Sequence, residues 1–154
     1  MALFLAFLIG FFAGLRSLTP PAATAWGAHL GWLKLQGSLA LIGSVYAVAL
    51  FTLLALGELA VDKWPKLPNR TSVPGLVARI LTGGLAGACI AAGAGESPWL
   101  GAALGAAGGI AGAFGGYHAR KRLVLALRVP DFAVAVFEDL IAIGGCAWIV
   151  SRFA

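Results

Sequence analysis

The sequence predicts an all-α fold, a polytopic bundle of helices in a lipid bilayer, and three observations carry that prediction. The first is composition: of 154 residues, 60% are hydrophobic and 11% charged, with a mean hydropathy of +0.94, against roughly 25% charged in ordinary soluble domains. So few polar groups cannot cover a globule in water. The second is run length. Uncharged stretches at 39–57, 80–95 and 97–117 approach or reach the ~20 residues that carry a helix across ~30 Å of hydrocarbon. The third is texture: the runs are continuous and rich in Ala, Leu and Gly, whereas strands of a membrane β-barrel alternate in segments of about ten residues.

Six hydrophobic segments follow in order. The first two, 2–15 and 22–33, are short for a span. Pro20-Pro21 forces a break between them, because proline lacks the amide and fixes φ, so they are expected as a bent or re-entrant pair. Such a break is tolerated in lipid only where its free backbone groups are buried in protein or line a wet cavity. Ala23-Thr24-Ala25 resembles a signal cleavage site, but the segment before it lacks a basic n-region and is read as a retained helix. Segments three to five are the long runs at 39–57, 80–95 and 97–117. The sixth, 132–151, is interrupted only by Glu138 and Asp139. Together they form one transmembrane domain, 1–154, with candidate halves 1–72 and 73–154.

Basic residues orient the chain. With the N-terminus outside and all six segments crossing, Arg16, Lys63, Lys66, Arg70, Arg79, Arg120, Lys121, Arg122 and Arg128 lie at the inner end, and only Lys34 and Arg152 at the outer. The positive-inside rule selects this orientation, with basic loops cytoplasmic. Three segments per half make the halves enter from opposite sides, the geometry of a 3+3 inverted repeat. Its sequence support is limited to short matches such as Ala47–Phe51 with Ala133–Phe137.

Segment five repeats small-xxx-small spacing through Gly101, Gly105 and Gly109, and through Gly108, Gly112 and Gly116, in the manner of a glycine zipper; segment four adds Gly83 and Gly87. Such faces let helices approach backbone to backbone. They predict tight packing within the bundle or a homodimer across these faces.

Ionisable groups inside a bilayer cost about 2.5–3.5 kcal/mol each on insertion scales, so every one needs a role. Glu138 and Asp139 lie two turns into segment six with no basic neighbour; they bind a proton or cation, or pair with Arg16 or Arg79 from another helix. Glu58 and Asp62, four apart and so on one helical face, end segment three beside Lys63, Trp64, Lys66 and Arg70, either as a solvated helix end or facing the bundle. Arg16 with Ser17 precedes Thr19-Pro20, a capping hydroxyl before proline at the first helical position. An arginine beside a helix N-terminus makes an anion site; the alternatives for Arg16 are reaching the headgroups or pairing with Glu58.

No cofactor or metal is expected: Cys89 and Cys146 lack metal or redox spacing, and His29 and His118 stand alone in sequence. The net charge of +5 flanks apolar spans without an aromatic platform, pointing to lipid headgroups and away from nucleic acid.

Gly14-Leu15-Arg16-Ser17 with Pro21-Ala22, Gly57-Glu58 with Asp62-Lys63, Pro65, Pro68 and Arg70-Thr71, and Glu138-Asp139 with Gly144-Gly145 resemble an uncharacterised bacterial integral-membrane family known only as a domain of unknown function. That resemblance implies an inner (cytoplasmic) membrane location and supplies no activity. The function expected from the residues is a small transporter or channel with a polar, cytoplasm-facing cavity, coupled to a proton or cation and handling an anionic small molecule. Arg16, Ser17 and Thr19 would meet the anion, and Glu58, Asp62, Glu138 and Asp139 the coupling ion, with Lys63, Arg70 and Arg79 nearby. Two alternatives stand beside it. One is a membrane enzyme gripping lipid phosphate through Arg70, Arg79 and Arg120, for which no catalytic signature is present. The other is a scaffold that assembles through its glycine faces.

Overall fold

The computed structural model describes residues 1–61, 72–128 and 130–154, and of Leu127 only the backbone. Among them are seven helices and no strand: α1 (Ala2–Leu15), α2 (Thr19–His29), a 3-10 helix (Gly37–Gly43), α3 (Val45–Val61), α4 (Val73–Gly93), α5 (Pro98–Leu127) and α6 (Asp131–Ser151). Proline follows the cap at α4 and α5, where its missing amide costs nothing. Gly95, at φ +75°, turns the chain between α4 and α5 through a conformation L side chains rarely adopt.

Three helices, α4, α5 and α6, are long and apolar enough to cross a membrane. The 3-10 helix and α3, bent by 63°, make a fourth if taken as one span. Helices α1 and α2 are shorter, rising about 21 and 16 Å at 1.5 Å per residue. They form a hairpin beside α6. Its tip, at Arg16, meets Asp139, while its open end lies level with the end of α6: Leu5 shares a core cluster with Ile149 and Val150, and Gly27 abuts Val150. Both chain termini occupy this terminal end. The opposite, basic end carries Arg120, Lys121, Arg122 and Arg128. Asp131 of α6 starts level with Arg120, so Asp139, eight residues on, lies about 12 Å along α6 from that end.

The innermost packing joins α1, α4 and α5. A Cβ on Gly105 would stand 2.1 Å from the Gly83 carbonyl oxygen, and one on Gly10 would stand 2.0 Å from that of Gly105. Gly101 meets Gly87 on α4, whereas Gly108 and Gly112 meet the Phe7 and Phe11 carbonyls on α1. The two glycine faces of α5 therefore pack against helices of the same chain, with backbones in contact and dispersion acting over short distances. Helix α3 is peripheral: of its 17 residues only Val48 is buried, and Leu50, Leu53 and Leu54 point outward. Exposed apolar side chains also cover α6, among them Phe137, Leu140 and Trp148, an exterior suited to hydrocarbon rather than water.

Candidate functional site

The polar residues gather at the break between α1 and α2. A helix leaves its last carbonyls and first amides without intrahelical partners, and here one helix ends and another begins within three residues. Two other helices satisfy backbone groups exposed there, and a third receives the Arg16 side chain. From α4, the Arg79 guanidinium donates through Nε to the Gly14 carbonyl at 3.0 Å, and through Nη1 to Gly75 of its own helix. From α3, the Glu58 carboxylate accepts the Ser17 amide (2.9 Å), the Ser17 hydroxyl (2.6 Å) and the Leu18 amide (2.9 Å). From α6, Asp139 receives Arg16: Nε donates to Oδ1, and Nη2 closes on the same oxygen. Arg16 is 1% exposed, the largest fully buried side chain of the chain's described residues.

Pro20 and Pro21 explain why the carboxylate sits where it does. They remove two of the amides that would start α2, leaving Ser17 and Leu18 as strong donors beside the positive end of its dipole, where a carboxylate is favoured. Thr19 is the first residue of α2 and Leu18 its cap, with no side-chain capping bond. The hydroxyl cap expected of Thr19 is thus replaced by Glu58, because a bidentate carboxylate reaches two amides that one hydroxyl cannot. The expected alternative pairing of Arg16 with Glu58 is likewise corrected, since Asp139 holds Arg16 while Glu58 is spent on the backbone.

Glu138 turns to a second group. Arg120 of α5 binds Asp131 through Nε (2.7 Å) and Nη2 (2.5 Å), and its Nη1 lies 3.7 Å from Glu138 Oε2. Asp131 and Glu138, seven residues apart, share one stripe of α6. Charged groups therefore follow one another inward from the basic end: Asp131, Arg120, Glu138, then Asp139 and Arg16. Side-chain exposure is 64% at Asp131 and 20% at Arg120, then 10% at Glu138, 11% at Asp139 and 2% at Arg16.

Of the residues singled out from sequence, Arg16, Ser17, Thr19, Glu58, Arg79, Glu138 and Asp139 fall within this region. Asp62, Lys63 and Arg70 lie outside the described residues. Asp131, the partner of Arg120, is not among the residues the sequence singles out, although an acid following Pro130 in a first helical turn is itself a signal. His29 Nδ1 lies 3.0 Å from the Gly43 carbonyl, and the His118 ring packs edge-on against Tyr117. Among the described residues no three His, Cys, Asp or Glu side chains come together as a metal site would require.

No curated protein and no solved structure matches this chain. A family model does, over residues 3–151. That match runs from the first turn of α1 to the last residue of α6, so it takes in the helix break and every helix that seals it: the chain belongs to the family described as a domain of unknown function, DUF4126.

Proposed function

We propose that this protein is a small inner-membrane transporter driven by a proton or cation, in which the α1–α2 hairpin is the moving part. In this reading α3 to α6 cross the bilayer and the hairpin re-enters it from the side of the termini, with the basic end in the cytoplasm. Helix α1 then starts from the terminal end and α4 from the basic end, the opposite senses that a 3+3 inverted repeat requires. Discontinuous helices whose termini are held by charged side chains are a recurring way to build an ion or substrate site inside a membrane.

The observation that carries the proposal is the series Asp131, Arg120, Glu138, Asp139, Arg16, which leads from the exposed basic end to the buried hairpin tip. Intramembrane charge of this kind marks ion and proton paths by default. Protonating Asp139 or Glu58 weakens the carboxylate contacts that pin the tip, and the hairpin can then move against α3 and α6. The anion-binding part of the reading enters at the same place: the Ser17 and Leu18 amides already hold a carboxylate and suit an anionic substrate group once Glu58 withdraws. Pairing of two copies through the glycine faces forms no part of the proposal, because α1 and α4 already fill them.

Proteoliposomes under an imposed pH gradient test it. Proton uptake that requires the protein, and drops at least tenfold in Glu138→Gln and Glu58→Gln variants that remain folded, is the expected result. Absence of flux from the folded protein across a panel of organic anions and cations, or unchanged flux in both variants, defeats the proposal and leaves a structural role for the charge series.

A further inference from the structure

A cavity of about 470 Å³ lies between α2, α3 and α6, apart from the charge series. Its walls are Ala23, Trp26, Ala55, Leu59, Ile143 and Ala147, with Thr19 at the inner limit and Trp32 and Ser151 at the terminal end. From Ile143 to Ser151 it follows α6 for about 12 Å. The volume lies within the range of small-molecule pockets, but the chemistry is unusual for one. The Trp26 indole donates to the Thr52 hydroxyl at 3.0 Å, and the Ser151 hydroxyl donates to the Trp148 carbonyl at 2.8 Å. These wall groups are therefore committed to the protein, and the remaining lining is almost wholly hydrocarbon.

We infer that this cavity holds one acyl chain of a membrane phospholipid. Three features select that occupant. The cavity is elongated along the helices, as an extended chain in a bilayer would be. The cavity is partly open to the exterior rather than enclosed, and its wall α3 is peripheral, presenting Leu50, Leu53 and Leu54 to the same apolar surface. Its terminal end is bordered by Trp32 and by Ser151, and the cations Lys34 and Arg152 follow within two residues of these. Tryptophan and basic residues at one level are the groups that meet a lipid's glycerol and phosphate. The inference does not rest on transport, because occupancy is measured without flux.

Photolabelling tests it. The full chain is reconstituted with a trace of phosphatidylglycerol bearing a diazirine on one acyl chain, irradiated, and mapped by mass spectrometry. Saturable labelling centred on Ala55, Leu59 and Ala147 is expected, competed by unlabelled phosphatidylglycerol. Ala147→Phe, which projects a ring into the cavity, should cut it about tenfold; Ala55→Phe on the opposite wall repeats the test if the first variant fails to fold. Leu53→Phe, on the lipid side of α3, should leave it unchanged. Labelling that is unsaturable and spread equally over Leu53 and Leu140, or that survives both cavity-filling variants in folded protein, overturns the inference. So does labelling of these residues by a diazirine palmitate but not by the phospholipid.

Discussion

Arg16 at the end of α1 and Asp139 in the middle of α6, 123 positions apart in the chain, form an ion pair with both side chains withdrawn from the surface. The pair ties the tip of a helical hairpin to a helix long and apolar enough to cross a membrane. Its burial gives it a different energetic character from the chemically similar pair of Arg120 with Asp131, whose carboxylate is 64% exposed.

Asp139→Ala should therefore destabilise the protein by about 3–5 kcal/mol, since it removes the buried carboxylate oxygen that Arg16 engages through both Nε and Nη2. Asp131→Ala should cost no more than about 1 kcal/mol, as exposed pairs do. Replacing both partners, in Arg16→Met with Asp139→Leu, should recover much of the loss. Denaturant unfolding in mixed micelles, followed by tryptophan fluorescence, measures all three, and equal losses at Asp139 and Asp131 would contradict the burial argument.

Glu58 acts on the backbone, so its loss should appear at the backbone. Glu58→Ala leaves the half-buried Ser17 and Leu18 amides without their carboxylate, at a cost of about 1 kcal/mol, the low end for an unsatisfied group because water can reach them in part. Amide hydrogen exchange should accelerate at Ser17 and Leu18 while the amides of α4 and α5 stay protected. Ser17→Ala, which removes one hydroxyl bond, should cost about 1 kcal/mol and leave both amides protected.

Two helical glycines, one in α5 and one in α6, should respond in opposite ways. Gly105→Ala puts a methyl 2.1 Å from the Gly83 carbonyl oxygen and 3.0 Å from the Gly87 Cα. Since neither neighbour is a flexible side-chain end, α4 and α5 must separate, and the loss should reach or exceed the upper end of the roughly 1–3 kcal/mol typical of overpacking. Gly144→Ala meets nothing within 4 Å and should stabilise α6 by up to about 1 kcal/mol through helix propensity. Thermal unfolding of the two variants side by side gives the answer.

Cys89 and Cys146 are both free and fully buried. A membrane-permeant maleimide should label neither thiol in the native protein and both after denaturation in dodecyl sulfate. The rate of labelling under native conditions then reports opening of the two clusters that hold these thiols, Cys89 with Ala25 and Ile42 and Cys146 with Ile9 and Ile90, and it should rise in Gly105→Ala and stay unchanged in Gly144→Ala.

Much of the architecture was legible in the residues. Pro20-Pro21 marks the hairpin tip because proline cannot continue a helix from the preceding segment, and the six apolar segments correspond to α1, α2, the bent 3-10–α3 unit, α4, α5 and α6. Boundaries were less legible. Segment four begins at 80 by hydropathy but α4 begins at Val73, because Arg79 is accommodated inside the helix by the Gly14 and Gly75 carbonyls. Segment five ends at 117 by hydropathy but α5 runs on to Leu127, carrying Arg120 to Asp131. In both places a charge that looks like a terminus is held by a group from another segment, the Gly14 carbonyl for Arg79 and the Asp131 carboxylate for Arg120.

By itself the sequence determined the solvent, the helical class, the place of the break and the small set of charges that had to be explained, since these follow from composition, run length and the covalent limits of proline. Only the tertiary structure decided which charge meets which group. Arg16 goes to Asp139, Glu58 to the Ser17 and Leu18 amides, Arg79 to the Gly14 carbonyl. Those choices depend on how α3, α4 and α6 are rotated about their axes around the hairpin. For α4 that rotation is set by glycine-to-backbone contacts with α1 and α5; the glycine spacing marks the close-packing faces, but which helix fills each face is decided only in three dimensions.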